Sequence, residues 1–506
     1  MLNAWLDGFQ SLLHFKQLLF LSLGMIMGLV FGAVPGLGGT TALALLMPLT
    51  YGLDPITALA LSGGVMGAVP MGGSISAILL NTPGSAPNAA TCLDGYPLAQ
   101  QGKAGLAIGA AASSNAIGGL IGTVSLLAVL PLSKRLVLSF GPPEFFLLSI
   151  LGLVMVATAS RGKMLRGLVA GGVGLMIAFV GFDQVTGTVR YTFGVQYLWD
   201  GVHLVPALIG LFAGAEMIKL WMKGGVISGS ASGVRITRLT DGLLETFKHW
   251  PTVLRGSLIG TVVGAVPGVG GVVASFLSYS LTVQVSKDPD SFGKGNIQGV
   301  IAPEAAINAK DSSALIPTIA FGIPGGAEMA VFLGILVLHG MQPGPLMLIN
   351  NQKEIYGLVW ALTASCVLAG GLGLLFVRPL SMVTLLPAKK LAPVVMTVAF
   401  IGSWAVDQTI ENVILSGVFA ILGYAMSRLD YPRLPIVISL VLGAGLERNF
   451  HQTMSMSDGS LAVFFTRYIC LILVACIAGA LLLTPLRSTL KRLFPRTVAY
   501  PERRPS

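Results

Sequence analysis

The chain has 506 residues, of which 54% are hydrophobic and only 10% charged. A soluble domain this large needs a polar skin, and soluble proteins carry about 25% charged residues. With a mean hydropathy of +0.81, a soluble enzyme, a disordered chain and a nucleic-acid binder are excluded. The net charge of +10 sits between apolar runs and in the tail, as loop charges do in membrane proteins. It implies a lipid bilayer around the chain and no nucleic acid. Apolar runs are long and continuous, which selects helices over a strand-built barrel. The 65 glycines, about 13% of the chain against a usual ~7%, suit close helix packing and broken helices. The expected fold is all-α, a polytopic helical membrane protein with roughly 10–12 spans plus re-entrant hairpins.

The N-terminus has no basic n-region and no small-residue cleavage site after its first apolar run, so the first helix is expected to be retained. Cys92, Cys366, Cys470 and Cys476 form no CxxC pair and no Cys/His cluster. No disulfide framework, structural metal or organic cofactor is expected.

The chain contains itself twice. Residues 28–39 read GLVFGAVPGLGG and residues 260–271 read GTVVGAVPGVGG, identical at nine of twelve positions. Residues 78–86 read ILLNTPGSA and residues 319–327 read IAFGIPGGA. Two motifs recurring in order at similar spacing mark a duplication. The expected units are a first transmembrane repeat over 1–225, a cytoplasmic linker over 226–253, a second repeat over 254–484 and a basic cytoplasmic tail over 485–506.

Loop charge sets the expected orientation. Lys219, Lys223, Arg235, Arg238, Lys248 and Arg255 crowd the linker, and Arg487, Lys491, Arg492, Arg496, Arg503 and Arg504 crowd the tail, so both are expected inside. Working back from the tail predicts spans near 462–483, 434–448, 410–427, 391–406 and 355–377. Working back from the linker predicts 201–222, 164–182, 144–159 and 110–131. Arg161, Lys163, Arg166, Arg378, Lys389, Lys390, Arg428 and Arg433 then fall inside. The halves come out with opposite orientation, an inverted repeat, with the Lys134–Arg135 pair as the contrary evidence.

Around Pro267-Gly268-Val269-Gly270-Gly271, two arms of about 13 residues measure roughly 20 Å each, short of a ~30 Å hydrocarbon core. This predicts a hairpin entering and leaving on one face. The first copy, about 18–52, turns at Pro35-Gly36-Leu37-Gly38-Gly39, followed by Thr40. Backbone exposed by proline and glycine is tolerated in a membrane only within protein or beside a wet cavity. The bland reading is that these glycines only let helices approach.

The second motif pair is unusually polar. Ser74, Asn81 and Thr82 lead into Pro83-Gly84, while Asn308, Lys310, Asp311 and Ser312 precede Pro324-Gly325-Gly326, with Glu328 after. Helix N-termini at such breaks suit a carboxylate, and freed carbonyls with Asn, Ser and Thr oxygens suit Na⁺. Lys310 could neutralise a substrate carboxylate, or one of Glu304, Asp311 and Glu328 could take a coupling proton. Alternatively, Lys310 and Asp311 pair structurally. Asp94-Gly95-Tyr96-Pro97 reads as a loop turn, and His14, His203 and His451 as isolated interfacial residues.

These motifs, with the GGSISAILLNTPGSAPNAATCLDGYPLA and APEAAINAKDSSALIPTIAFGIPGGA stretches and HGMQPGPL after them, resemble the large membrane subunit of tripartite tricarboxylate transporters, the TctA-type permeases. The resemblance spans about residues 20–480. It implies a bacterial inner-membrane secondary transporter fed by a periplasmic solute-binding protein and joined by a small membrane subunit. Its substrates would be di- or tricarboxylates such as citrate, driven by a Na⁺ or H⁺ gradient. It carries function onto Pro35 to Gly39, Gly72 to Ser74, Asn81 to Gly84, Pro267 to Gly271, Asn308 and Pro324 to Gly326. Ile307 stands where the family pattern has Asn, and Met71 where an aromatic is usual, which leaves the particular carboxylate open. An intramembrane enzyme would need a metal-ligand pair or a G-x-S-x-G, and neither occurs. A channel favours rotational symmetry between subunits. A carrier using alternating access is the expected mechanism, with a Na⁺ site near the hairpin tips.

Overall fold

A computed structural model describes residues 2–137, 139–159, 164–183, 186–223, 239–383 and 388–493. Arg161, Lys163, Arg235, Arg238 and the tail's Arg496, Arg503 and Arg504 lie outside them. The described chain is almost wholly helical, and its one sheet pairs Gly181–Phe182 with Val189–Arg190. Among the described residues, seven helices are long and apolar enough to cross a membrane, and six shorter apolar helices of 10–17 residues accompany them. The chain is therefore a multi-pass membrane protein. Its outward side chains agree: Phe15 is 81% exposed, Leu375 73% and Val262 66%, an apolar coat that only lipid would cover at no penalty.

Several predicted spans correspond to helices with ends shifted by a few residues, among them Gln352–Leu375, Ala388–Asp407 and Ile410–Arg428, whereas 434–448 is part of the longer Leu434–Met456 and 462–483 divides between Val463–Thr466 and Tyr468–Leu493. The predicted 110–131 is part of a longer helix, Ala104–Val137, whose last turns hold Lys134 and Arg135.

Both predicted hairpins are present. The first is Phe15–Ala33 turning into Gly38–Thr50, and the second is Trp250–Ala265 turning into Gly270–Val285. The second hairpin's arms have 16 residues each, about 24 Å. They are longer than the 13 expected, because the first starts before Arg255, at Trp250, and the second continues to Val285. The first hairpin is lopsided: its leading arm has 19 residues and is itself long enough to cross.

Each hairpin packs on one central helix. Gly24, Gly28 and Gly32 lie one turn apart on Phe15–Ala33, and a Cβ on them would stand 2.2, 2.6 and 2.3 Å from the carbonyl oxygens of Leu61, Val65 and Val69. Those carbonyls belong to Pro55–Leu80. Gly256, Gly260 and Gly264 face Ala302, Ala306 and Lys310 of Gln298–Ser313 in the same way, at 2.5, 2.2 and 2.4 Å. Rows of glycine every fourth residue let helix backbones touch. In these rows the glycines serve the close approach of helices. Both central helices are buried along almost their whole length.

Pro55–Leu80 starts at Asp54, whose carboxylate accepts the Thr57 N–H at 3.0 Å and pairs with Lys16 at 2.5 Å. Partial burial opposes its charge, but the Lys16 and Thr57 hydrogen bonds outweigh this and hold its carboxyl at about 2. Asp54→Ala should lower stability by about 1 kcal/mol through loss of the cap. A depressed folded pKa gives stabilisation that is complete above the unfolded value near 4 and lost as pH falls toward 2. Thermal unfolding in detergent should show that acid-side loss in the wild type and not in Asp54→Asn.

Candidate functional site

The tips share one backbone design. Gly36 and Gly38 have φ of 90° and 59°, and Gly268 and Gly270 have 77° and 76°, values an L side chain adopts only at a penalty. The two tips meet the two Pro-Gly segments around a cavity of about 550 Å³, within the range of small-molecule sites. The first tip contributes Gly36 to Thr41, the second Gly268, Gly270 and Gly271. Pro83 to Pro87 and Gly326 to Glu328 close the remaining sides.

Three of the helices that begin on this cavity are Gly38–Thr50, Gly270–Val285 and Ala327–Leu338. None has a side chain capping its first turn. Their leading N–H groups and positive dipole ends therefore converge on one space, an arrangement suited to an anion.

Charged side chains complete the wall. Lys310 enters from Gln298–Ser313, with its Nζ 2.6 Å from Asp311 Oδ1. A Cβ on Gly326 would lie 3.7 Å from that Nζ, and one on Gly39 would lie 2.6 Å from Glu328 Oε1. So the glycines leave room for these charges as well as for a ligand. Glu216 holds Lys219 at 3.1 Å and Arg433 at 3.4 Å, and Arg433 also donates to the Leu211 carbonyl at 2.9 Å. Phe212 lines the cavity within a π-helical stretch, Ile209–Gly214, a wider turn that re-aims side chains at functional sites. Three cations and two carboxylates thus line the wall, and Asp311, paired with Lys310 behind it, balances the third cation.

Of the predicted residues, Gly36, Gly38, Gly39, Thr40, Pro83, Gly84, Gly268, Gly270, Gly271, Lys310 and Gly326 line the cavity together. Pro35, Pro267 and Thr82 neighbour lining residues in the chain without lining the cavity, and Pro324 lies two residues before Gly326. Asn81 does not reach it: it is the exposed left-handed end of Pro55–Leu80, at φ 53°. Asn308 and Ser312 point into the helix interface, donating to the carbonyls of Asn115 at 3.1 Å and Gly119 at 3.3 Å. Gly325 packs on Ala314, and Ser74 bonds Glu304 at 2.6 Å. These residues are polar because buried helix contacts need partners.

Two further expectations are corrected. Asp94 is no loop turn: it is fully buried and accepts from the N–H groups of Gly295 and Asn296 and from Tyr279 Oη, each at 2.8 Å. His203 is not isolated, for its Nδ1 lies 3.1 Å from Asp407 and its ring stacks on Tyr197. The sequence alone does not single out Phe212, Glu216, Lys219 and Arg433 as lining residues. Loop-charge patterning alone assigns Lys219 and Arg433 to cytoplasmic loops, although an acid, Glu216, inside the apolar run 204–222 is a usable signal.

Residues 18–438 match the model of the tripartite tricarboxylate transporter TctA family. A 52.8 kDa uncharacterized protein of the TAR-I ttuC' 3' region of Agrobacterium vitis is 34% identical over 487 residues, 94% of this chain and 95% of that one. A second uncharacterized protein of that organism, from the TAR-II ttuC' 3' region, is 33% identical over 207 residues, 41% of this chain and 86% of its own length. No solved structure matches the chain.

Proposed function

The chain belongs to the tripartite tricarboxylate transporter TctA family, a family of transporters and not of enzymes, and from that premise we propose that the cavity between its hairpin tips binds a di- or tricarboxylate such as citrate during import. Family membership implies a binding protein and a small membrane subunit as partners. The observation that carries the site is the convergence of three uncapped helix starts with Lys219, Lys310 and Arg433. Amide donors and fixed cations can replace the water around carboxylates in a site away from bulk solvent.

The two hairpin-and-central-helix units are read as inverted repeats, 1–225 and 254–484. Their matching glycine rows and matching tip dihedrals support descent from one unit. Alternating access would move the hairpin tips against the central helices around the bound carboxylate. The location is the bacterial inner membrane with the linker and tail cytoplasmic. Lys219 and Arg433 then mark the cytoplasmic mouth, and the cavity is in its inward-facing form. A Na⁺ or H⁺ gradient drives the cycle.

The test is uptake of labelled citrate into proteoliposomes containing this chain, the small subunit and the binding protein, under imposed Na⁺ or pH gradients. Unlabelled di- and tricarboxylates are added as competitors. Gradient-driven uptake that Arg433→Gln reduces at least about tenfold supports the reading. Absence of gradient-driven uptake for every carboxylate the binding protein holds would refute it.

A further inference from the structure

Glu304 lies midway along Gln298–Ser313 and is fully buried. Four neutral groups meet its carboxyl group, all from the first half of the chain. Ser74 Oγ and Asn115 Nδ2 reach Oε2 at 2.6 and 2.8 Å, and Thr91 Oγ1 and Asn88 Nδ2 reach Oε1 at 2.5 and 3.2 Å. Among the described residues no cation pairs with it. Other titratable groups come from the surrounding helices. Cys92 and Asp94 sit on Cys92–Gln100, Tyr279 on Gly270–Val285 and Cys366 on Gln352–Leu375, while Arg255 lies on Trp250–Ala265 and Lys134 and Arg135 in the last turns of Ala104–Val137. Asp94 and Tyr279 bond each other, and Lys310 and Asp311, further along Glu304's own helix, are paired. Pro55–Leu80 brings no titratable side chain.

Counting hydrogens shows what this arrangement permits. Ser74 has one hydroxyl hydrogen and two acceptors, Glu304 Oε2 at 2.6 Å and the Pro70 carbonyl at 2.7 Å. It cannot donate to both. With Glu304 ionised, Ser74 donates to the carboxylate, and the Pro70 carbonyl keeps Asn88 Nδ2 at 3.2 Å. With Glu304 protonated, its O–H donates to Ser74, and Ser74 donates to Pro70. Asn115 Nδ2 then has Ser74 Oγ at 3.5 Å. Every donor that meets the carboxyl group has an acceptor in both states, while the Asn115 amide oxygen is buried without a partner. A Na⁺ would need oxygen lone pairs where two amide N–H groups now point.

The network also reaches the cavity. Ser85 lines it, Ser85 Oγ bonds Asn88 Oδ1 at 2.5 Å, and Asn88 bonds Glu304. Lys310, in the cavity wall, lies on the same rigid helix six residues on, about 9 Å along its axis.

We propose that Glu304 is a proton-binding site of this carrier, with Ser74, Thr91, Asn88 and Asn115 holding both of its protonation states and Ser85–Asn88 linking it to the bound carboxylate. One O–H bond forms when the site takes a proton from water on one side of the membrane. The same bond breaks when the proton returns to water on the other. The link to transport rests on the carrier reading above, and proton binding itself does not.

Infrared titration of the purified full chain between about pH 5 and about pH 9 tests the binding. The wild type should show a titrating carbonyl stretch of a protonated carboxylic acid that is missing in Glu304→Gln and returns, shifted, in Glu304→Asp. In the reconstituted complex, Glu304→Gln should lose pH-gradient-driven citrate accumulation roughly tenfold and keep citrate counterflow within about twofold. No titrating band assignable to Glu304 would overturn the proposal. So would wild-type accumulation by Glu304→Gln, or Na⁺ that raises the wild-type melting temperature and not the variant's with no protonated band. If Glu304→Gln fails to fold, Ser74→Ala replaces it and should shift the same band. If no carboxylate is carried by either protein, the transport reading fails while the infrared result still decides proton binding.

Discussion

Gly84→Ala is expected to leave little folded protein and no transport. A Cβ there would stand 1.8 Å from the Gly32 carbonyl oxygen, 2.7 Å from Ser76 Oγ and 2.8 Å from Gly73 Cα. Two of these three are backbone atoms. Gly32 cannot retreat, because it is itself pressed on Val69 of the central helix, and Gly73 abuts Asn88. Overpacking of a tight core typically costs about 1–3 kcal/mol, and an overlap with backbone on two sides should reach or exceed the top of that range. Gly172→Ala and Gly417→Ala are the controls. Both glycines are helical, and nothing lies within 4 Å of an added Cβ. Each should keep stability or raise it, by up to about 1 kcal/mol. Yield and melting temperature in detergent separate the three variants. A stable Gly84→Ala would mean that the first hairpin and the Pro83–Gly84 segment are not packed as described.

Lys310→Met should lose both stability and transport, and the two losses should be separable. The variant leaves Asp311 buried without its partner at 2.6 Å, and breaking a buried pair on one side costs about 3–5 kcal/mol. Lys310→Met with Asp311→Asn removes both charges and should regain most of that stability, since replacing a buried pair outright is often neutral. It should not regain function, because Lys310 is the one cation that enters the cavity between the second tip and Gly326. Citrate uptake should stay at least about tenfold below wild type in the double variant. Recovery of uptake together with stability would reduce Lys310 to a structural role.

Much of this was legible in the sequence because two kinds of signal are local. Length and continuity of apolar runs announce helices, and the repeated Val-Pro-Gly-x-Gly-Gly runs announce turns that only glycine can make. The tip glycines line the cavity. Asn81, Asn308 and Ser312 do not, because a polar residue in an apolar run signals only that it needs a partner. Asn308 finds one in a facing carbonyl. Glu216 and Arg433 were hidden for the opposite reason. They lie 217 positions apart in the chain, and only packing of distant helices makes them one wall. Glu304 is of the same kind: its four partners come from three separate segments of the other half.

The central claim is that a carboxylate sits between the two hairpin tips. Thr40→Cys, in a chain with Cys92 and Cys476 replaced by alanine, puts a single accessible thiol at the start of Gly38–Thr50 on the cavity wall. Its rate of modification by a small maleimide should be measured in the reconstituted complex with and without a panel of di- and tricarboxylates. The account predicts that the carboxylate the complex transports slows modification, and that the others do not. Equal rates with and without a carboxylate that the same protein demonstrably transports would place the substrate elsewhere and contradict the account.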